Sequence, residues 1–231
     1  MTQMLSPKQL ATAIGVSESS LKRWADEGLV EVSRTAGGHR RIALPEAIRF
    51  IRQTKATIVR PDMLGFKELA QMSQSLDPSD ISTDYRQLYD ALEQGRGEMA
   101  RAFLLSWYLS GRSLAALFDG PLKRTFYELG DKWRHSDEGI FIEHRATDLC
   151  IQALNQLRSN FISPSESAPL AVGGAPTGDP YIVPSLMAAI VLAEQGFRTI
   201  NLGPDTPAPT LQVAIETYHP ALVWISMTTE Q

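Results

Sequence analysis

Apolar positions in the first sixty residues recur at helical spacing and are cut into short pieces. Ser6 caps a first helix with Pro7 at its opening position, and Gln9 completes a capping box. Leu10 and Ile14 then share one face. Gly15-Val16-Ser17 ends that helix and begins a second, with Ser17 as N-cap and Glu18 suited to the positive end of the helix dipole. Leu21 and Trp24 point inward, and Gly28 stops the helix before Leu29-Val30. The pattern predicts a helix-turn-helix, whose second helix characteristically enters the DNA major groove. Ser33-Arg34-Thr35-Ala36-Gly37-Gly38-His39-Arg40-Arg41-Ile42 reads as a hairpin with a glycine tip and a dense set of donors. Leu44-Pro45-Glu46 opens a further helix whose Ile48, Phe50 and Ile51 cover the core.

After Lys55 the pattern changes. Thr57–Pro61 reads as a linker, and Phe66–Leu76 as a short helix halted by Asp77-Pro78. From Ile81 to Phe161 long helical stripes predict an antiparallel bundle. Tyr85, Leu88 and Leu92 form one stripe; Met99, Phe103, Leu104 and Trp107 form another. Gly95-Arg96-Gly97 and Ser110-Gly111 are breaks. Leu114–Trp133 is a third helix, kinked or restarted at Pro121. Glu138–Phe161 is the last, with Ile142, Leu149, Ala153 and Leu157 inward.

A Ser/Pro stretch, Ser163–Pro169, marks a second linker. Beyond it, Leu170–Val172, Arg198–Gly203 and Ala221–Ser226 are strand signals. They alternate with a helix through Leu186, Ile190 and Leu192 that runs to Gly196, and another over Leu211–Tyr218. This alternation predicts a parallel sheet of the Rossmann or flavodoxin kind. Three strands are fewer than such a sheet normally has, so the reading expects a domain shortened at its C-terminal end. Gly173-Gly174-Ala175-Pro176-Thr177-Gly178 lacks G-x-G-x-x-G spacing and is not a dinucleotide loop. The expected class is therefore α + α/β. A winged helix-turn-helix covers 1–60, a linker and short helix 61–80, a four-helix bundle 81–162, and a partial Rossmann-like sheet 169–231.

Charge separates these parts. Residues 1–60 hold 10 Lys/Arg against 5 Asp/Glu, a net of +5; the remainder hold 12 against 21, a net of −9, which together give the chain's −4. A basic head on an acidic body points to a polyanion meeting the head alone. The single Cys150 excludes an internal disulfide framework, fits a reducing cytoplasm and is expected as a small buried hydrophobe. No apolar run reaches the ~18 residues of a membrane span, and no signal-peptide pattern opens the chain. No membrane partner is expected, and the expected location is the cytoplasm, at the nucleoid.

With these residues in view, "GVSESSLKRWADEGLV" followed by "RTAGGHRRI" resembles the MerR-type winged-helix family over about residues 3–55. The resemblance implies that Ser19, Ser20, Lys22 and Arg23 reach bases or adjacent phosphates of double-stranded promoter DNA. It places Arg34, His39, Arg40 and Arg41 on the flanking backbone. Many members dimerise through a long C-terminal helix. No sustained heptad pattern is present here, so a homo-oligomer would form through the C-terminal domains.

A bundle followed by a flavodoxin-like sheet also resembles the paired cobalamin-binding domains of methionine synthase. With the head in front, the chain resembles light-responsive cobalamin-dependent repressors of the CarA/CarH/LitR type. The match rests on Trp133, nine intervening residues, then Glu143-His144. The resemblance implies that these three cover the upper face of adenosylcobalamin. It further implies that Ser226 and Thr228 contact the nucleotide tail, and that an anti-repressor protein is a further partner. Read without it, Trp133 is bundle core, and His144 a surface residue meeting Asp148 one turn on.

Two positions depart from the family. Its lower axial ligand comes from D-x-H-x-x-G, and here the string is Asp179-Pro180-Tyr181-Ile182-Val183-Pro184. Tyr181 replaces the histidine and Pro184 the glycine. A phenol, with an ordinary pKa of ~10, is a poor cobalt ligand at neutral pH. Some members also place a histidine directly after the tryptophan. Here Arg134 stands there and His135 is one position late, turned by ~100° on a helix.

Three alternatives stay open: cobalamin bound without the lower histidine, another flat ligand such as a haem or bilin, or no ligand and a module for oligomerisation or partner docking. The expected function is a DNA-binding transcriptional regulator, a repressor and not an enzyme, under a cobalamin-type and light-responsive sensor. Corrinoid methyl transfer is the competing enzymatic reading.

Overall fold

The computed structural model describes residues 2–72, 81–133 and 137–228, with the side chains of residues 71, 72, 81–84, 132 and 133 outside that description. Two compact units emerge, Met1–Ala146 and Thr147–Gln231. The division falls inside a helix, not at Ser163–Pro169, because the last turns of that helix are tied to the sheet that follows. Arg158 Nη2 donates to Thr199 Oγ1 at 2.8 Å.

The first unit begins with the expected winged helix. Helix α1 (Pro7–Ala13) carries the full capping box: the Ser6 hydroxyl accepts from the Gln9 N–H at 3.2 Å, and Gln9 Oε1 accepts from the Ser6 N–H at 2.8 Å. Helix α2 (Glu18–Asp26) is capped by Ser17, which accepts from the Ser20 N–H at 3.1 Å. The hairpin forms as strands β2 (Ser33–Arg34) and β3 (Arg40–Ala43), with Ser33 opposite Arg41 and Arg34 opposite Arg40. A strand that two residues could not announce, β1 (Met4–Leu5), adds to the other edge of β3, giving the antiparallel order β1-β3-β2.

Helix α3 (Leu44–Thr54) closes this core through Ile48, Phe50 and Ile51. Trp24 is half-buried, its ring 5.5 Å from that of Phe50. Glu46 is buried although charged. It accepts from the Glu31 N–H at 2.7 Å and from Arg49, whose guanidinium also reaches the Leu29 carbonyl at 3.1 Å. The bond to Glu46 holds Arg49 above its ordinary pKa. This paired carboxylate fixes the loop after α2 onto α3.

The expected linker at 57–61 is part of this packing. The Val59 and Arg60 N–H groups both donate to the Ala13 carbonyl, at 2.8 and 3.1 Å. A 3₁₀ turn at Pro61–Leu64 then buries Leu64. Helix α4 (Lys67–Met72) covers part of the expected helix at 66–76; its end and Asp77-Pro78 lie outside the described residues.

The bundle comprises α5 (Ile81–Glu93), α6 (Gly97–Leu109), α7 (Leu114–Leu117), α8 (Lys123–Trp133) and the first turns of α9 (Asp137–Arg158). A π-helical turn, Phe118–Leu122, joins α7 to α8 and contains Pro121. Proline has no N–H to give and crowds the preceding turn, and the wider turn absorbs both defects. Arg52 of α3 donates to the Tyr108 and Arg112 carbonyls and lies 3.7 Å from the Tyr108 ring centroid. The head is thereby joined to the negative, carbonyl end of α6.

The second unit is a parallel sheet of β4 (Leu170–Gly174), β5 (Arg198–Asn201) and β6 (Leu222–Ile225) in the order β5-β4-β6. Helix α10 (Ile182–Glu194) packs on β4 and β5, and α11 (Ala208–Tyr218) on β4. Gly173-Gly174 serves packing. A Cβ at Gly173 would fall 2.2 Å from the Trp224 carbonyl oxygen, and one at Gly174 2.9 Å from that of Gly203.

On α9 the buried positions are Ala146, Cys150, Ala153, Leu154 and Leu157; Ile142 and Leu149 are only half-buried. Burial pushes the Cys150 thiol from 9.0 up to about 12. The folded state therefore keeps a proton that the unfolded chain loses above pH 9. The thiol's stabilising contribution is complete below 9 and declines as pH climbs toward 12. At pH 8 the native chain is expected to resist a thiol-alkylating reagent and to react fully in denaturant. Rapid modification of the native chain, followed by mass spectrometry, would contradict this burial.

Candidate DNA interface and ligand-facing residues

Ser19, Lys22 and Arg23 are exposed on α2, and Ser20 is half-exposed. The Ser19 and Ser20 hydroxyls lie 2.8 and 2.9 Å from that of Ser17, so the cap gathers three hydroxyls at the start of the helix. Lys22 pairs with Glu18 at 2.8 Å, and that hydrogen bond holds Glu18 below the usual carboxylate range. Arg23 lies 3.8 Å from Glu27. These exposed pairs are weak.

On the wing, Arg34 and His39 are exposed. Gly38 takes a φ of +77°, which closes the tip, and the Gly38 N–H donates to the Thr35 carbonyl at 2.8 Å. Arg40 and Arg41 are half-buried. The Arg40 side chain is only 22% exposed; Nη2 donates to Asp26 Oδ1 at 2.6 Å and Nη1 to the Lys22 carbonyl at 3.2 Å. Arg40 thus latches the wing to the C-terminal turns of α2. The structure brings both sets of sequence-predicted residues onto two joined elements. The sequence pattern did not disclose the latch, because Arg40 and Asp26 are 14 residues apart.

The ligand-facing candidates are distributed over both units. Trp133 ends α8 with its side chain outside the described residues, as are Arg134 and His135. On α9 the Glu143 side chain is 22% exposed and that of His144 73% exposed, with His144 Nε2 3.6 Å from Glu143 Oε2. Asp148, the expected partner of His144, accepts instead from Gln152 at 2.8 Å. One neighbour was not anticipated: Arg145 donates to the Glu93 carbonyl and lies over the Phe141 ring at 4.8 Å. Its guanidinium rests against Gly95, where a Cβ would approach to 3.1 Å. The Gly95-Arg96-Gly97 break is the sequence trace of that contact.

In the second unit, Asp179 is 1% exposed in the loop after β4. Its Oδ2 accepts from the Thr228 N–H at 2.7 Å, both oxygens lie within 2.8 Å of the Thr228 hydroxyl, and Oδ1 accepts from the Tyr181 N–H at 3.1 Å. Tyr181 is the N-cap residue of α10, its ring half-exposed, and Pro184 sits in the first turn, where no N–H is required. Ser226 joins the group through its backbone, its N–H donating to the Gly174 carbonyl at 3.0 Å. Asp179, Tyr181, Ser226 and Thr228 thus converge at the C-terminal ends of β4 and β6.

Fold and site together define a winged-helix DNA-binding head joined to a helical bundle and a parallel α/β unit. Residues 6–42 match the family model described as MerR family regulatory protein, and the head is a MerR-type helix-turn-helix. Over 225 residues the chain is 25% identical to the HTH-type transcriptional repressor CarA of Myxococcus xanthus, an alignment covering 95% of this chain and 75% of that protein. Among solved structures, a novel cobalamin-binding protein from Desulfitobacterium hafniense DCB-2 aligns at a TM-score of 0.31 with 15% identity, over 65% of this chain and 69% of that one. The methanol:cobalamin methyltransferase complex MtaBC from Methanosarcina barkeri aligns at 0.31 with 16% identity, over 70% and 66%. Among the described residues, no helix is long and apolar enough to cross a membrane.

The latch separates two kinds of arginine. Arg34→Ala or Arg41→Ala is expected to lower the slope of log affinity against log salt by ~0.9, the signature of one lost phosphate contact. Arg40→Ala and Asp26→Ala are both expected to weaken duplex binding through a loosened wing. Because Arg40 is already neutralised by Asp26, its loss should change the slope less. Fluorescence anisotropy across a salt series checks this; an Arg40→Ala slope reduced as far as that of Arg41→Ala would contradict the latch.

Proposed function

We propose that this protein is a DNA-binding transcriptional repressor whose helical bundle and α/β unit form a cobalamin-type sensor module. The observation that carries the reading is the α2 face and wing, held in one orientation by Arg40, on a chain that aligns over 95% of its length with a transcriptional repressor. In this reading α2 enters the major groove. The exposed Lys22, Arg23 and Arg34 and the half-buried Arg41 neutralise phosphates while the Ser19 and Ser20 hydroxyls approach base edges. The body's acidic balance keeps the polyanion on the head.

The sensor would act by changing how copies of the head are presented to promoter DNA, through a homo-oligomer or an anti-repressor protein. Adenosylcobalamin is the first ligand to test, with light as its switch; haem and bilin follow. The non-enzymatic assignment rests on the winged-helix head, for which methyl transfer has no use. One observation favours a second reading. Val223, Ile225 and Met227 leave an exposed apolar stretch along and just after β6, suited to a module that docks a partner and takes no ligand.

The test is footprinting of the full chain on promoter fragments, dark and lit, with and without adenosylcobalamin. The expected result is a protected repeat or palindrome whose midpoint shifts with the cofactor and with light. Protection that ignores every tetrapyrrole moves the assignment to the docking module. No protection on any promoter fragment removes the repressor reading.

A further inference from the structure

The module's fold is compatible with a corrinoid, but the residues at the sheet's C-terminal edge do not fit a protein ligand to cobalt. A metal-bound imidazole is ordinarily oriented by donating its second N–H to a carboxylate or carbonyl. Asp179 is the buried carboxylate in position for that task, and it is engaged otherwise. Both its oxygens lie within hydrogen-bond distance of the Thr228 hydroxyl, and they also accept the Thr228 and Tyr181 N–H groups. Its own carbonyl accepts the Asp205 N–H at 2.9 Å. The loop after β4, the loop after β5 and the residues after β6 are thereby stitched together by one residue.

Nor does the unit offer an imidazole there. Its one histidine by sequence is His219, the left-handed C-cap of α11 with φ +45°. That residue directly precedes β6 and so stands at the N-terminal end of the strand, across the sheet from Asp179. Position 181 carries a half-exposed phenol on a backbone held as the α10 N-cap, and Pro184 stiffens the turn that follows.

We infer that Asp179 and Thr228 form a structural clasp in this chain, and that a corrinoid held by the module receives no nitrogen ligand from the α/β unit. This deepens the proposed function and rests on it. The ligand class follows from coordination chemistry. Removing a cobalamin's own lower base would leave the metal short of a ligand with none to replace it. The module therefore favours complete cobalamins with that base in place over corrinoids that lack it.

The experiment uses the full chain with Co(II) cobinamide, which has no lower base, and with cobalamin. Equilibrium dialysis reads retention, and electron paramagnetic resonance reads nitrogen coupling to cobalt. The expected result is at least tenfold tighter retention of cobalamin than of cobinamide, with no nitrogen splitting in the bound cobinamide. Tyr181→His is expected to introduce the splitting. A nitrogen splitting in cobinamide bound to the unsubstituted chain overturns the inference while leaving the sensor reading standing. Retention of neither corrinoid removes the cobalamin reading of the sensor, and this inference with it. The clasp has a readout that needs no ligand. Asp179→Asn and Thr228→Val are expected to lower the unfolding temperature of the cofactor-free chain by several degrees. Unchanged melting in both would overturn the clasp.

Discussion

Glu46, Asp179 and Thr125 are buried polar side chains, and each is tolerated because a backbone group answers it. Glu46 takes the Glu31 N–H, Asp179 takes those of Thr228 and Tyr181, and Thr125 donates to the Tyr85 carbonyl at 3.3 Å. A carboxylate or hydroxyl withdrawn from water without such a partner costs several kcal/mol, on the order of a sizeable part of a domain's stability. The requirement works in both directions. It admits the polar residue, and it fixes the loop that supplies the partner. The loop after α2, the contact of α5 with α8, and the C-terminal edge of the α/β sheet are each set in this way.

The same rule shapes the reading surface of the head. Two short elements of the wing and one helix have little apolar area with which to hold one another. Arg40 takes over part of that task by engaging the C-terminal turns of α2 and Asp26, while Arg34 is exposed and Lys22 and Arg23 enter weak pairs. Arg52 does the corresponding work between head and bundle, where a cation meets the carbonyl end of α6. One charged residue orients the wing and another carries the bundle's position to the head.

In the α/β unit the demand for partners separates ancestry from chemistry. The arrangement of β4, α10 and the residues after β6 is that of a sheet whose C-terminal edge receives ligands. Asp179 meets its hydrogen-bonding requirement inside the protein, from Thr228. This acidic side chain holds loops together, and the neighbouring Tyr181 and Pro184 suit a helix start. The glycines of the same region are explained by Trp224 and the Gly203 carbonyl, which come too close for any Cβ.

Much of the fold was legible from local signals. Ser6 and Ser17 announce their helices because capping involves residues within three positions of each other. Pro121 announces a break because proline acts on its own turn. Strands β4 and β6 stand out as apolar runs, β5 lies between Gly196 and Gly203, and Cys150 was correctly expected to be buried. What escaped the sequence was long-range: strand β1 against β3, the passage of Val59 and Arg60 across the end of α1, and the Arg158 tie that draws α9 toward the sheet. The candidate site divides along the same line. Residue types and their order announced a MerR-type helix-turn-helix head and a parallel α/β unit. Only the tertiary structure decided that Arg40 is a latch and Asp179 a clasp, because a side chain's role depends on the partner it meets, and those partners lie 14 and 49 residues away.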